Sequence, residues 1–107
     1  MSIIQWTPKQ LREQLAADPD LVLLDVREAH EYAFASLANS LHIPLGQIPL
    51  RYDELDPARH LAVLCHHGVR SMQACLFLQQ QGFEQLYNVQ GGIDAWSLVC
   101  DPSIPRY

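Results

Sequence analysis

The segment LAVLCHHGVRSMQACLFL, residues 61–78, passes from an apolar run to a helical pattern through a short polar turn. Residues 61–64 are all apolar, which indicates a strand buried on both faces of a parallel sheet. Residues 71–81 have apolar side chains at helical spacing, and Gly82 follows where a glycine commonly ends a helix. Cys65 lies between the two elements. Because ligands bind beyond the carboxyl ends of parallel strands, this position predicts a functional site.

Strands and helices alternate through the rest of the chain. Further strands are predicted at residues 21–26 (LVLLDV), 40–45 (SLHIPL) and 86–89 (LYNV). A short helix is predicted within residues 27–35, a final helix begins at the glycine pair 91–92, and residues 45–56 are irregular or weakly helical. The alternation predicts an α/β fold, with a parallel sheet of about five strands and helices on both faces.

The first predicted helix has its own start and stop signals. Thr7 can cap it, Pro8 suits the first helical position, and Gln10 stands where a capping-box glutamine reaches back to the cap. The pair Asp18-Pro19 then ends the helical pattern. These signals predict a helix over Pro8–Ala17.

Length, charge and cysteine content limit the classes of function. The 107 residues are 49% hydrophobic and 18% charged, which predicts one globular domain over residues 1–107. Seven Lys and Arg against twelve Asp and Glu give a net charge of −5, so a nucleic-acid partner is not expected. No apolar run approaches the ~20 residues that span a bilayer, and residues 1–14 lack a signal-peptide pattern, so no membrane partner is expected. Three cysteines without CxxC spacing predict free thiols in the cytoplasm.

The turn after Cys65 has the chemistry to activate a cysteine. Gly68 allows a backbone conformation that other residues avoid, so successive N–H groups can point at one centre next to a helix N-terminus. These donors, together with Arg70, should favour the nucleophilic thiolate form of Cys65. A buried structural cysteine is the alternative, and it is the interpretation we adopt for Cys75 and Cys100.

Other polar residues near the predicted site have more than one interpretation. His66 and His67 are either proton donors and anion contacts or simply polar loop residues. A metal site is not expected, because consecutive histidines do not converge easily on one ion. Asp25 and Arg27 lie at the carboxyl end of the strand at residues 21–26, close to where the Cys65 loop is expected. An ion pair or hydrogen-bond clamp, involving Arg27 and Glu31 or Asp25 and the loop, is favoured over direct catalysis.

Four motifs occur in an order and spacing that resembles single-domain rhodaneses, a family of thiosulfate-type sulfurtransferases: DVREAHEY, HIPL, CHHGVRS and LYNVQGGIDAW. They extend over about residues 21–96, and residues 101–107 form a tail outside them. The resemblance implies a single rhodanese-like domain. It also implies an enzyme in which Cys65 takes a sulfane sulfur from a donor such as thiosulfate, becomes a persulfide, and passes the sulfur to cyanide or a thiol.

The resemblance also implies which residues bind the substrate. They are those of the loop after the cysteine, whose backbone N–H groups form a cradle for the sulfur: His66, His67, Gly68, Val69, Arg70 and Ser71. Asp25 and Arg27 are expected in a supporting role. This chemistry requires no cofactor and no metal. The expected partners are a small-molecule sulfur donor and a thiol or cyanide acceptor, with a protein sulfur acceptor as a further candidate.

The loop length separates this chain from phosphatases of the related dual-specificity kind. Those proteins resemble this architecture but have five residues between the cysteine and the arginine, to fit a tetrahedral phosphate. Here four residues separate Cys65 from Arg70. The shorter loop disfavours a phosphatase or arsenate reductase, while a non-enzymatic sulfur-relay or regulatory binding module remains an alternative, because it would use the same pocket.

One loop departs from the pattern of the family. Members often have GHIPGA ahead of the segment that corresponds to HIPL, whereas this chain has ASLANS at residues 35–40. Asn39 tolerates a left-handed backbone better than most residues other than glycine. We therefore expect the turn to be kept.

Overall fold

Parallel strands form one sheet in the order β1-β5-β4-β2-β3. The structure is a computed structural model and describes residues 3–107. The strands in that range are β1 (Ile4–Trp6), β2 (Val22–Asp25), β3 (Leu41–His42), β4 (Leu61–Leu64) and β5 (Leu86–Val89). Every neighbouring pair is parallel. The predicted α/β class and the five-stranded parallel sheet are confirmed.

Helices connect the strands. Within residues 3–107 they are α1 (Pro8–Ala17), α2 (Ala29–Phe34), α3 (Ile48–Arg51), α4 (Val69–Gln80) and α5 (Gly92–Val99). Short 3₁₀ segments at Leu45–Gln47 and Tyr52–Glu54 flank α3. In this part of the chain, no helix combines the length and apolar character needed to cross a membrane.

Strand β4 explains why the apolar run at residues 61–64 is unbroken. Leu61 and Val63 pack into one hydrophobic cluster with Leu78 of α4, while Ala62 and Leu64 pack into another on the opposite face of the sheet. All four residues are buried. A strand with helices on both faces has no solvent-facing side, so alternation with polar residues is absent.

The first helix forms as its capping signals predict. The Oγ1 atom of Thr7 accepts a hydrogen bond from the Gln10 backbone N–H at 3.2 Å, and the Thr7 N–H donates to Gln10 Oε1 at 2.8 Å. The helix covers Pro8–Ala17, and the bounds match the prediction. Asn39 has a φ of 61°, so the predicted left-handed turn is confirmed.

Two elements differ from the sequence prediction. The edge strand β1 was not predicted, because its three residues form a strand only through pairing with β5, where Ile4 lies opposite Tyr87. Helix α4 begins at Val69, two residues before the predicted start. Val69 is 67% exposed, so it is not part of the buried apolar stripe from which the start was predicted. Gly68 (φ 102°) is the residue that precedes the first turn of the helix.

Register places the site at one edge of the sheet. Asp25 of β2 lies opposite Leu64 of β4, and the Val26 N–H donates to the Leu64 carbonyl oxygen at 3.0 Å. The residues that follow these strands, Arg27 and Cys65, therefore meet at the carboxyl edge, where parallel-sheet ligand sites lie.

Candidate active site

Cys65 lies directly after β4 and is 1% exposed. The Gly68 backbone N–H donates a hydrogen bond to its Sγ at 3.0 Å. The thiol in turn donates to Ser71 Oγ, 3.3 Å away in the first turns of α4. The sulfur is thus held by one loop amide that donates to it and one helix hydroxyl that accepts from it, and the Gly68 N–H is the donor that an anion at this position would meet.

The side chain of Asn88, in β5, holds the loop through hydrogen bonds with Ser71 and Gly68. The Ser71 hydroxyl donates to its Oδ1 at 2.5 Å, and its Nδ2 donates to the Gly68 carbonyl oxygen at 3.2 Å. The side chain is buried. Sequence reasoning did not single out Asn88, because its role depends on β5 lying next to β4.

The glycine pair before α5 allows that helix to pack against the backbone of Cys65. The Ile93 and Asp94 N–H groups donate to the carbonyl oxygens of Cys65 and His66, at 2.8 and 3.2 Å. Gly92 has a φ of 62°, and a Cβ atom there would overlap both carbonyl oxygens. The predicted tight start of the last helix is present. Because Gly92 has no side chain, its backbone also packs directly against the backbone of Cys65 and His66.

Arg70 binds a carboxylate rather than standing free. Its two terminal nitrogens donate to Oε1 and Oε2 of Glu31 at 2.6 and 2.9 Å. The Arg70 hydrogen bonds lower the pKa of Glu31 far below its usual range, and Glu31 raises the pKa of Arg70. The negative charge of a Cys65 thiolate adds to the rise in the pKa of Arg70. Arg70 is therefore near enough to interact electrostatically with Cys65 while fixed by Glu31.

Asp25 and Arg27 form a fully buried ion pair. Arg27 Nε and Nη2 donate to the Asp25 carboxylate at distances between 2.7 and 3.1 Å. Arg27 Nη1 donates to the carbonyl oxygen of Glu31, and Nη2 also donates to the carbonyl oxygen of Ala35. Burial lowers the pKa of Arg27, but the hydrogen bonds with Asp25 and Tyr107 raise it overall. The pair thus fixes α2, and α2 presents Glu31 to the loop.

Tyr107 joins the site from the C-terminal segment, which sequence reasoning treated only as a tail. Its hydroxyl accepts a hydrogen bond from Arg27 Nη1 at 2.9 Å and donates to Glu31 Oε2 at 2.7 Å. Its ring stacks on the His66 ring, with centroids 3.9 Å apart and planes 10° apart. No local pattern in residues 101–107 indicates this contact.

His66, His67 and Asp94 place ligand-type atoms within 4.8 Å of one another. The two imidazole rings are stacked with planes 25° apart, so their in-plane lone pairs run side by side instead of converging on one ion. The Asp94 carboxylate also binds Arg106 at 2.8 Å, and that contact lowers the pKa of Asp94. This geometry does not favour a metal, and the expectation of no metal site stays a prediction.

The surroundings of His66 disfavour its charged form. Burial, and then the neighbouring His67, lower its pKa. Among residues 3–107, no hydrogen-bond partner reaches its buried Nε2. The remaining loop residue, Val69, points away from the core, so any contribution from it to the cradle comes from its backbone.

The other two cysteines lie outside the loop. Cys75 is fully buried on α4, where burial raises the pKa of its thiol to about 12. Cys100 caps the C-terminus of α5. All three cysteines are free thiols. A protonated Cys75 is a poor nucleophile, because the thiolate is the reactive form.

The chain is similar in sequence and in structure to known proteins. The chain matches the Rhodanese-like domain family over residues 7–98. A protein named sulfurtransferase from Allochromatium vinosum is 37% identical over 89 residues, which cover 83% of each chain. A thiosulfate sulfurtransferase from Actinobacillus pleuropneumoniae serotype 7 is 34% identical over 83 residues, covering 78% of this chain and 77% of that protein. The crystal structure of a rhodanese-related protein from Thermoplasma volcanium superposes with a TM-score of 0.83 at 33% identity, covering 97% of this chain and 99% of the other.

Proposed function

This chain belongs to the rhodanese-like domain family, and we propose that it is a sulfurtransferase that carries sulfur on Cys65 as a persulfide. Relatives named sulfurtransferases support rhodanese-type sulfur transfer at the level of the family. The donor that we propose is thiosulfate or a similar sulfane compound. The acceptor that we propose is cyanide or a thiol, including a protein thiol. We also propose a reducing compartment such as the cytoplasm, because the cysteines are free thiols.

The proposed reaction has two steps, in which Cys65 first takes up a sulfur atom and then passes it on. The Cys65 thiolate attacks the outer sulfur of thiosulfate, the bond between the two sulfurs breaks, and its electron pair leaves with sulfite. The outer sulfur of the Cys65 persulfide is then attacked by cyanide or a thiolate, which gives thiocyanate or a new persulfide and restores the Cys65 thiolate. Neither step needs a cofactor or a metal.

The observation that carries the proposal is the hydrogen bond from the Gly68 N–H to Cys65 Sγ at 3.0 Å. It provides a preorganised donor at the atom where negative charge is held, in a loop that leads into the N-terminus of α4. We assign the substrate contacts to the same loop, which comprises His66, His67, Gly68, Val69, Arg70 and Ser71. Asp25 and Arg27 are positioning residues, because they act on this loop through α2.

The contacts of Arg70 favour sulfur transfer over phosphate chemistry. Phosphate recognition by arginine commonly uses both terminal nitrogens in a bidentate contact. In this structure, both nitrogens already bind Glu31. The four-residue spacing between Cys65 and Arg70 leaves a smaller loop than phosphatases of the related kind use.

Mass spectrometry of the purified protein tests the proposal. After exposure to thiosulfate or mercaptopyruvate, we expect the mass to increase by one sulfur atom on Cys65, and cyanide should remove it as thiocyanate. The C65S variant should fold but neither bind nor transfer sulfur, whereas C75A and C100S should retain most of the activity. Full activity in C65S would contradict the assignment.

Two further results would change the assigned function. A Cys65 persulfide that passes to a protein thiol without turnover of cyanide or small thiols would favour the non-enzymatic relay. Cys65-dependent hydrolysis of an aryl phosphate, without persulfide formation from either donor, would favour a phosphatase.

A further inference from the structure

A pocket lies beside the Cys65 loop and outside the cradle described above. Its volume is about 360 Å³, and it is lined by His30, Glu31, Phe34 and Tyr107. This volume is within the range of small-molecule sites. The rings of Phe34 and Tyr107 meet edge to face, with centroids 5.8 Å apart. We refer to it as the Phe34–Tyr107 pocket.

The walls of this pocket contact both ends of the Cys65 loop. Tyr107 stacks on His66, the residue directly after Cys65. Glu31 binds Arg70, the residue that ends the four-residue spacing. Two walls of the Phe34–Tyr107 pocket therefore contact residues at both ends of the loop in which the reacting sulfur would lie.

Three arginine side chains near this edge of the sheet are already paired with carboxylates. Arg70 binds Glu31, Arg27 binds Asp25, and Arg106 binds Asp94. Burial lowers the pKa of His66. Thiosulfate is a dianion, and the paired arginines leave little free positive charge for its second negative charge. An apolar group of low charge needs no such partner.

The pocket also has an apolar surface that is exposed to solvent. Phe34 is 56% exposed although it is aromatic, and its ring contacts that of Tyr107, which stacks on His66. Two aromatic side chains with one neutralised carboxylate form a surface that an aromatic or aliphatic group would cover favourably. Exposed aromatic side chains that flank a reactive group are suited to binding part of its substrate.

We propose that the Phe34–Tyr107 pocket binds the organic group of the sulfur donor, so that Phe34 and Tyr107 select donors with an apolar, singly charged leaving group over thiosulfate. The inference rests on the proposed sulfurtransferase function. An organic thiosulfonate is a donor of this class. The Cys65 thiolate attacks its outer sulfur, the sulfur–sulfur bond breaks, and the electron pair leaves with a sulfinate anion. One anion enters and one anion leaves, so the step needs no proton, oxidant or reductant.

Three donors separate size from charge in the test. Benzenethiosulfonate and methanethiosulfonate carry the same single charge but differ in the apolar group, whereas thiosulfate has two charges and no organic group. For each donor, kcat/KM of Cys65 persulfide formation is measured on the full chain, from the release of sulfinate or sulfite. The ratio of benzenethiosulfonate to methanethiosulfonate reports contact with the pocket, and the ratio of benzenethiosulfonate to thiosulfate reports the combined preference.

The variants F34A and Y107A remove the two aromatic walls. We expect each to lower both ratios by about tenfold, the scale of an apolar contact between a substrate group and its pocket. Because Phe34 is exposed, F34A should keep the fold even if Y107A weakens the ion pairs that its hydroxyl joins. The control L98A removes an exposed apolar side chain of α5 that does not line the pocket, and should leave both ratios unchanged.

The outcomes distinguish this inference from the proposed function. If Cys65 persulfide forms but F34A and Y107A leave both ratios at the wild-type values, the pocket does not select the donor and the inference is overturned. If no donor gives a Cys65 persulfide, the proposed function fails and the inference fails with it.

Discussion

Arg70 and Glu31 form a bidentate ion pair across 39 residues of sequence, with nitrogen–oxygen distances of 2.6 and 2.9 Å. The Glu31 side chain is 9% exposed, so solvent screens this pair less than it would a pair on the open surface. The contact joins α2 to the loop that follows Cys65. The contact fixes the end of the loop to α2. It also compensates the charge of Arg70, which leaves less of that charge to attract a bound anion.

Replacing Glu31 by Gln should make stability less dependent on pH. The pKa of Glu31 is lowered in the folded protein, so the pair stabilises the fold above the ordinary value of 4.5, and this contribution decreases as the pH falls below it. Urea unfolding should show that wild type exceeds E31Q by about 1–3 kcal/mol at pH 7, with a smaller difference at pH 3. E13Q, at an exposed position of α1, should match wild type. A difference that stays constant from pH 7 to pH 3 would contradict this account.

The buried Asp25–Arg27 pair should be intolerant of the loss of one partner. The D25A variant leaves the Arg27 guanidinium buried without its carboxylate, and we expect a loss of about 3–5 kcal/mol in the free energy of unfolding. R27K should also destabilise, because one ammonium group cannot reach the two oxygens of Asp25 and the carbonyl oxygens of Glu31 and Ala35 together.

An exposed pair provides the control for this prediction. Arg51 binds Glu54 at 2.9 Å on the surface, and R51A should change the unfolding free energy far less than D25A. Equal losses for D25A and R51A, measured by urea titration, would show that burial does not determine the strength of the Asp25–Arg27 pair.

Gly92 should be required for both the fold and the reactivity of Cys65. A methyl group at this position would overlap the carbonyl oxygens of Cys65 and His66, and the backbone has a positive φ that disfavours alanine. We expect G92A to lose about 1–3 kcal/mol of stability and to form persulfide more slowly. The matched control is G46A, where the added methyl group has open space. Unchanged persulfide formation in G92A would contradict the proposed close packing of α5 under the loop.

Ser71 should affect both the loop and Asn88. The S71A variant removes the hydroxyl that contacts Cys65 Sγ and leaves Asn88 Oδ1 buried without its donor. An unpaired buried acceptor costs about 1–3 kcal/mol, and urea unfolding of S71A should show a loss of this size in the free energy of unfolding. S103A, which changes an exposed serine, is the control. A wild-type free energy of unfolding in S71A would show that the stability of the fold does not depend on the hydrogen bond from Ser71 to Asn88.

Cys75 should stay unmodified in the folded protein. Burial raises the pKa of its thiol to about 12, so at pH 8 it is almost entirely protonated. We expect mass spectrometry after brief iodoacetamide treatment at pH 8 to find Cys75 unlabelled, with labelling only in urea. Labelling of Cys75 at the same rate in the folded and unfolded protein would contradict its burial.

The sequence by itself determined the elements whose signals lie within a few residues of one another. The capping box at Thr7 and Gln10 predicted the bounds of α1, and the apolar run at residues 61–64 predicted a strand buried on both faces. The position of Cys65 after that run predicted a site at the carboxyl edge. Turn and cap preferences act through local hydrogen bonds, so the residues that make them are close in sequence.

Only the tertiary structure decided which distant residues meet at Cys65. Glu31 reaches Arg70 across 39 residues, and Tyr107 reaches Arg27 across 80. Asn88 lies under the loop because β5 pairs with β4, and three-residue β1 forms because it pairs with β5. These contacts depend on strand order and register, which bring together the ends of separate parallel strands. A single side chain such as Tyr107 has no neighbouring pattern that could have indicated its partners.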